Sequence, residues 1–333
     1  MSLIVHPHFH RRRTGVTRHV EEVVPALDRL AETRAIGSAL GPSVPRIGWA
    51  ELWRRLRSEP VIWHAHRNNE LLAGLLLRLV SRQLRVVFTR HGGKVPGRYT
   101  RALSRRADRL VTLTRVVARN LGLPSAIVSH GVDLSRFRPP GDRAAAWRAL
   151  GLGGLHGIGV VGRIRPDKGQ GDFTEAIRPL LQRFPDWRAV LVGLAKGGDA
   201  AWAEGLRRST GDALVLAGEH GDIVPWYQGL TIAVQPSHLE AYSLVLVESM
   251  ASGCCVVATA LEQHPDVVEH GRTGFLYPPG DAAALREILA LLMAEPARAE
   301  AIGRNAAEEA RARFGLEHEV RGLLDVYREL RGG

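Results

Sequence analysis

The sequence has no long hydrophobic run. Its longest apolar stretches, such as Leu71 to Leu79 and Leu84 to Phe88, are short or broken by Arg. None approaches the roughly 20 residues that span a bilayer. The opening "MSLIVHPHFHRRR" lacks the apolar core and the small-residue cleavage site of a secretory signal, so a cytoplasmic protein is expected. Low-complexity blocks are absent and apolar content is ordinary, which predicts a folded globular chain. Cysteine is scarce: Cys254 and Cys255 adjoin in "GCCVVAT". That stretch reads as a buried strand, on which neighbours point to opposite faces. Free core thiols are therefore expected, not a disulfide or a metal pair. Two nucleotide-binding signatures are also missing. The first strand leads into "RRRTGV", not into a GxGxxG turn, and no GxxxxGK[ST] spacing occurs. A dinucleotide oxidoreductase and a Walker-type nucleotidase are thereby excluded.

What is present is length and an uneven charge. The 333 residues are too many for one ordinary core and suit two domains. Residues 1–150 hold 27 Lys+Arg against 10 Asp+Glu, and the remainder 18 against 24, within a net charge of +11. The basic excess is nearly all arginine, with Lys94 the one lysine before residue 150. A basic half suits nucleic acid, anionic lipid or phosphorylated ligands. The basic stretches lack interleaved aromatics and match no nucleic-acid module, so nucleic acid is not an expected partner.

Short apolar runs alternate with amphipathic ones. "LIVH" precedes a helix over about Val16 to Leu30. "PVIWHAH", "LRVVFT", "RLVTLT" and "AIVSHG" follow as strands, with "NNELLAGLLLRLVSR", "RYTRALSRR" and "RVVARNLG" as the helices between them. The Gly- and Pro-rich stretch after Gly131 reads as a linker region with one short helix. The rhythm then restarts with "IGVVGR", "RAVLVG", "LVLAG", "TIAVQP", "CCVVAT" and "TGFLYPP". Residues from Asp281 to about Arg331 read as helical, with breaks at Pro296 and Phe314-Gly315. This α/β pattern predicts two doubly wound parallel-sheet domains in tandem. Residues 1–140 form the first, joined by a C-terminal helix over 316–331, and 141–315 form the second. Ligands of such sheets bind beyond the carboxyl ends of the strands, here in a cleft faced by both domains.

Two stretches carry chemistry. "VVGRIRPDKGQGDF" runs from a strand through Gly162-Arg163 to Lys168 at a helix start. A glycine, two cations and a helix N-terminus suit a phosphate or diphosphate; a βα turn with solvated Arg and Lys is the alternative. "HLEAYSLVLVESMASG" places Glu240 ahead of a helix and Glu248 inside it. Each carboxylate suits a vicinal diol, and the backbone N–H groups of Tyr242, Ser243 and Leu244 are helix-start donors. Alternatively Glu240 is an acid favoured by the helix dipole and Glu248 a solvated helix residue.

Together "GRIRPDKG" and "PSHLEAYSLVLVESMASG" resemble the retaining nucleotide-sugar glycosyltransferases of family 4, which have the GT-B fold. "VSHGVDLSRFRP" resembles their domain linker and "TGFLYPPGDAAALREIL" their late strand and helix. "WHAHRNNELLAGLLLR", "VVFTRH" and "WYQGLTIAVQPS" look most like lipopolysaccharide-core mannosyltransferases. The resemblance implies transfer of a hexose, with mannose from GDP-mannose the favoured donor, to a glycan or glycolipid acceptor. Arg163 and Lys168 would neutralise the leaving diphosphate, so neither a metal nor another cofactor is expected. Glu240 would contact the transferred sugar, with Gly162 and the N–H groups of Ala241, Tyr242, Ser243 and Leu244 beside sugar and phosphate. Glu248 would bind the ribose. Thr14 and Gly15 match the loop near the donor phosphate, and His91 a histidine near the reacting centre. In a retaining transfer the leaving oxygen itself can take the acceptor proton, so the protein supplies positioning and electrostatics. The chain departs from the family where Ala241-Tyr242-Ser243 replaces Gly-Phe-Gly, and where His66 replaces an Arg of several members.

Other histidines read more plainly. His64 and His66 are expected on opposite sides of their strand, and alternation along an extended segment accounts for His6, His8 and His10 without a metal. Arg98, Arg101 and Arg105, with Tyr99 and Leu103 nearby, form one helical face. Arg11 to Arg13 add charge that suits peripheral contact with an anionic membrane. The competing functions are a GT-B sugar-nucleotide epimerase, a phosphorylase, which is far longer, and a transferase with a soluble acceptor.

Overall fold

Strands form where Val, Ile and Leu cluster between Gly, Ser and charged residues. Helices form where apolar residues recur every three or four positions. The structure, a computed structural model, describes residues 2–11 and 14–330. Contacts divide the chain into two units, Met1–Gly131 with Leu316–Gly333, and Val132–Gly315.

The first unit contains β1 (Leu3–His8), α1 (Gly15–Asp28), β2 (Thr33–Gly37), α2 (Trp49–Ser58), β3 (Val61–Ala65), α3 (Asn68–Leu77), β4 (Leu84–Arg90), α4 (Arg98–Ser104), β5 (Arg109–Thr112), α5 (Arg115–Leu121) and β6 (Ala126–Ile127). All pairings are parallel and the sheet order is β2-β1-β3-β4-β5-β6. The chain moves from β1 to one edge and then crosses back to β3, so the sheet reverses direction between those two strands. Such a reversal leaves a crevice at the carboxyl ends of the strands.

The second unit contains α6 (Arg143–Ala149), β7 (His156–Val161), α7 (Gln170–Arg183), β8 (Trp187–Val192), α8 (Asp199–Thr210), β9 (Leu214–Gly218), α9 (Val224–Gly229), β10 (Leu230–Gln235), α10 (Leu244–Ala251), β11 (Cys255–Thr259), β12 (Gly274–Tyr277), α11 (Ala282–Ala294) and α12 (Pro296–Arg313). Its parallel sheet has the order β12-β11-β10-β7-β8-β9, and here the reversal lies between β7 and β10. The apolar residues on the sheet's two sides form two separate clusters. Cys255 lies in one and Cys254 in the other, both as buried free thiols.

The last helix, α13 (Leu316–Glu329), returns to the first unit. Val320, Leu323, Val326 and Tyr327 pack with Val20, Val24 and Leu27 of α1. Residue 331 of the expected C-terminal helix lies outside the described residues. Residues 132–140, assigned by the sequence reading to the first domain, group with the second unit: Val132 donates its N–H to the Phe314 carbonyl and bridges Gly315. The expected linker is likewise packed structure. Trp147 of α6 is buried, and a Cβ at Gly157 would stand 2.3 Å from its ring.

Arg143, at the start of α6, gathers the ends of two other elements. One of its terminal nitrogens donates to the carbonyls of Tyr227, Gln228 and Leu230, and the other to those of Ser252 and Gly253. The last carbonyls of α9 and α10 have no partner within their own helices, and one guanidinium fork meets them.

The basic face expected on α4 divides. Arg98 and Tyr99 are exposed, whereas Leu103 is buried and Arg101 is half-buried. Arg12 and Arg13 lie outside the described residues. Among the described residues no helix is long and apolar enough to cross a membrane.

Candidate functional site

In the second unit the loops after β7 and β10 leave the sheet at its reversal. They touch closely. Gly169 has φ +72°, and a Cβ there would stand 1.9 Å from the Pro236 carbonyl oxygen. His238 donates its N–H to the Asp167 carbonyl at 3.0 Å. Gly162 and Gly193, at φ +132° and +151°, turn the chain out of β7 and β8, and a Cβ on Gly193 would collide with the Gly162 carbonyl. Close backbone approach requires glycine at Gly169 and Gly193, whereas at Gly162 the positive φ alone favours it.

This approach brings Lys168 to Glu240. The ammonium donates to Glu240 Oε1, and the same oxygen accepts from Gln235 Nε2 at 3.1 Å and Ser237 Oγ at 3.2 Å. Gln263 Nε2 donates to the Glu240 backbone carbonyl at 2.9 Å. Among the described residues, Glu240 Oε2 has no hydrogen-bond partner. The carboxylate is thus held by one oxygen and presents the other. Nearby, Gln235 Oε1 and His264 Nε2 are buried without a protein partner, a state that native interiors rarely leave unanswered. His264 Nδ1 bonds the Thr259 carbonyl at 2.6 Å. Burial pushes the His264 pKa down, against the pull of the Glu240 charge and with the push of Lys168.

Arg163 stands apart from this pair. Its side chain is half exposed, and its recorded partner is Asp199 at 3.9 Å. Its carbonyl accepts from the Gln170 side chain at 3.0 Å, which anchors the loop to the first turn of α7. Glu248 is not a solvated helix residue. It is 3% exposed, and Oε2 accepts from the buried Tyr227 hydroxyl at 2.9 Å. Ser243 caps α10 by accepting from the Leu246 N–H at 3.3 Å, with Ala241 and Tyr242 in the loop before it and Leu244 as the first helical residue. The sequence reading missed His264, Gln235, Ser237 and Tyr227. Their signal was position only: each lies within or just beyond β10 or β11, or on the helix that leads into β10.

In the first unit the loops after β1 and β3 meet at the other reversal. Thr14 caps α1, accepting from Thr17 N–H, and Arg67 donates to the Thr14 hydroxyl at 2.8 Å. Buried Glu70 accepts from the N–H groups of Phe9 and His66. A Cβ at Gly15 would meet open space, so internal packing does not demand this glycine.

His91 belongs to a cluster that the sequence reading did not assemble. Its Nε2 contacts His66 Nδ1 at 3.1 Å, and its Nδ1 contacts His130 Nε2 at 3.1 Å. His64 and His66 do not face opposite ways: they stand two residues apart, share a side, and stack with centroids 4.7 Å apart. His6 also joins the cluster, with Nδ1 2.9 Å from His66 Nε2. Burial lowers the pKa of His6 to about 3. Burial first, then neighbouring histidines, hold His19, His64, His66 and His91 well below the usual range. Three groups here have ligand atoms within 4.8 Å of one another: His6, His64 and His66; His19, His66 and His91; and His19, His130 and Glu319.

Comparison with known proteins gives concordant results. Residues 156–295 match the family described as glycosyl transferases group 1. The lipopolysaccharide core biosynthesis mannosyltransferase LpcC of Rhizobium leguminosarum bv. viciae is 35% identical over 340 residues, covering 99% of this chain and 97% of that protein. The corresponding enzyme LpsB of Rhizobium meliloti (strain 1021) is 32% identical, covering 98% and 97%. Among solved structures, Anabaena Alr3699/HepE in complex with UDP superposes with a TM-score of 0.84 at 19% identity, over 99% of this chain and 100% of that one. That likeness establishes the GT-B fold for the two six-stranded parallel sheets.

Proposed function

The chain belongs to the group 1 glycosyltransferases, and on that premise we propose that it is a retaining, metal-independent hexosyltransferase. Its donor is a nucleoside-diphosphate sugar, GDP-mannose in this reading. Its acceptor is a glycan or glycolipid of the lipopolysaccharide core or another cell-surface polysaccharide. The observation that carries the reading is the Lys168–Glu240 pair at the β7–β10 reversal. A cation and a carboxylate held together there suit a leaving diphosphate and the hydroxyls of a donor sugar.

In this reading Lys168 and Arg163 stabilise the diphosphate as the glycosidic bond breaks, which is electrostatic work that needs no reorganisation at the moment of reaction. Glu240 receives sugar hydroxyls on its unengaged Oε2. Glu248 takes the ribose while the Tyr227 hydroxyl orients it. Gly162, Ala241, Tyr242, Ser243 and Leu244 border sugar and phosphate, and the leaving oxygen takes the acceptor proton. Thr14 and Gly15 form the loop near the donor phosphate, where the absent side chain at Gly15 leaves room. Both ring nitrogens of His91 are engaged internally, so this histidine meets the sugar or acceptor by sharing or exchanging one of those bonds. Exposed arginines of the first unit, Arg98 among them, suit an anionic leaflet that carries the acceptor, and in this reading the enzyme works at the inner face of the cytoplasmic membrane.

Thermal shifts with GDP-mannose, UDP-glucose and UDP-GlcNAc test the donor. GDP-mannose at a hundred times its Kd should stabilise the protein by about 2.7 kcal/mol. A larger shift with another donor replaces mannose in this account. Transfer should persist in EDTA and give a product with the donor's anomeric configuration by proton NMR. Strict metal dependence, or inversion, would overturn the mechanism.

A further inference from the structure

A continuous hydrogen-bonded chain runs through the interior of the first unit. Thr89 Oγ1 lies 2.6 Å from His64 Nε2, and His64 Nδ1 lies 2.5 Å from the Tyr327 hydroxyl. That hydroxyl is 3.3 Å from His6 Nε2. His6 Nδ1 meets His66 Nε2, His66 Nδ1 meets His91 Nε2, and His91 Nδ1 meets His130 Nε2, at 2.9, 3.1 and 3.1 Å. His130 Nδ1 then reaches Glu319 Oε1 at 3.0 Å.

The order of atoms matters. Along the chain each imidazole faces its successor with Nδ1 and its predecessor with Nε2. A neutral imidazole has one donor nitrogen and one acceptor nitrogen, so fixing one link fixes the rest. Glu319 fixes the last link. Its Oε2 accepts the Gly131 N–H at 2.9 Å, and Oε1 faces His130 Nδ1 with His19 Nδ1 3.4 Å away. A carboxylate only accepts, so His130 carries a proton on Nδ1, and as a neutral ring it accepts on Nε2.

We propose that Glu319 is a positioning residue that acts through His130 to hold His91 with its proton on Nδ1 and a lone pair on Nε2, and that the same tautomer runs back through His66 and His6 to His64. The neutral state that this requires agrees with the burial of these rings and with the charges of Arg67 and Arg90 facing His91, which oppose an imidazolium there. A metal ion is the competing use of these residues. It would have to break several of the links above, and the middle triad shares His66 with one neighbour and His19 with the other, so the three cannot all be filled at once. A hydroxyl that reaches the half-buried His91 therefore meets an acceptor and not a donor. That last consequence rests on the transferase reading; the tautomer does not.

The test is nitrogen-15 NMR of the full chain with labelled histidine, in which each neutral ring shows one protonated and one bare nitrogen. Wild type should show Nδ1–H at His130, His91, His66 and His6. In Glu319→Gln the Gly131 N–H must still find an acceptor, so the amide oxygen faces it and the amide NH2 faces His130. The tautomers should then reverse to Nε2–H from His130 through His91 to His6, whereas a merely structural Glu319 would disturb His130 and His19 alone. Thr89→Val, at the far end, should leave Nδ1–H at His91. An Nε2–H His91 in wild type overturns the proposal without any variant. So does a Glu319→Gln change confined to His130, or one equivalent of zinc whose removal moves the histidine signals. Failure of donor turnover with the Nδ1–H pattern intact would refute the transferase reading and leave this one standing.

Discussion

Lys168 and Glu240 are 72 residues apart in the chain and meet because each ends a loop beside the same strand reversal. The pair is partly exposed, at 23% and 15% for the two side chains, so its worth to folding is small, about 1 kcal/mol or less. Its worth to catalysis is larger in the proposed mechanism. Glu240→Ala should lower kcat/KM by about 100-fold or more while the denaturation midpoint moves little, and unchanged turnover in a folded variant would discard the assignment. The spacing of Glu240 and Glu248 was legible in the sequence because both lie in one contiguous motif. The grip on Glu240 was not. Gln235, Ser237 and Gln263 are ordinary polar residues until the β10 and β11 loops set them against one carboxylate. The histidine chain was illegible for a similar reason: His6, His64, His91 and His130 come from four separate segments, and a sequence read one segment at a time shows four unrelated strand-end histidines.

At the level of elements, Arg143 makes the sharpest prediction. It meets carbonyls from the ends of both α9 and α10, and α10 carries Glu248. Arg143→Met should destabilise the second unit by on the order of 3 kcal/mol, since each buried acceptor left unmet costs about 1–3 kcal/mol. Arg143→Lys should recover only part of that, because an ammonium cannot fork across two helix ends. Urea denaturation followed by tryptophan fluorescence measures both, and a lysine variant as stable as wild type would show that charge alone suffices. Most elements could be read in advance, since runs such as "LRVVFT" and "CCVVAT" have few alternatives in an α/β chain. Two were missed. β2 is an edge strand whose "TRAIG" carries an arginine and a glycine, so it lacks the apolar density of a central strand. α2 buries only Leu52 and Leu56 among charged neighbours, a stripe too narrow to stand out in an arginine-rich region.

For the whole molecule, the buried histidines predict how stability changes with pH. Their pKa values fall on folding, so the unfolded chain binds more protons once the pH drops below about 6.5. Stability is full above that pH and falls as pH decreases towards the folded values, about 3 for His6. Each such histidine contributes a slope of up to about 1.4 kcal/mol per pH unit in that window. The first unit should therefore melt earlier between pH 6 and pH 4 in calorimetry, while replacing His6 and His64 with Gln flattens the dependence; a pH-independent first transition would contradict the buried, neutral cluster. The same unit is assembled from segments on either side of the second: its sheet ends by residue 127, and α13, which supplies Glu319 and Tyr327, follows residue 315. On the ribosome, then, the order of completion runs against the order of the sequence. The second unit can close its core as it emerges, whereas the first must wait with an uncovered apolar face, and with its row of histidines unterminated, until α13 has followed it out.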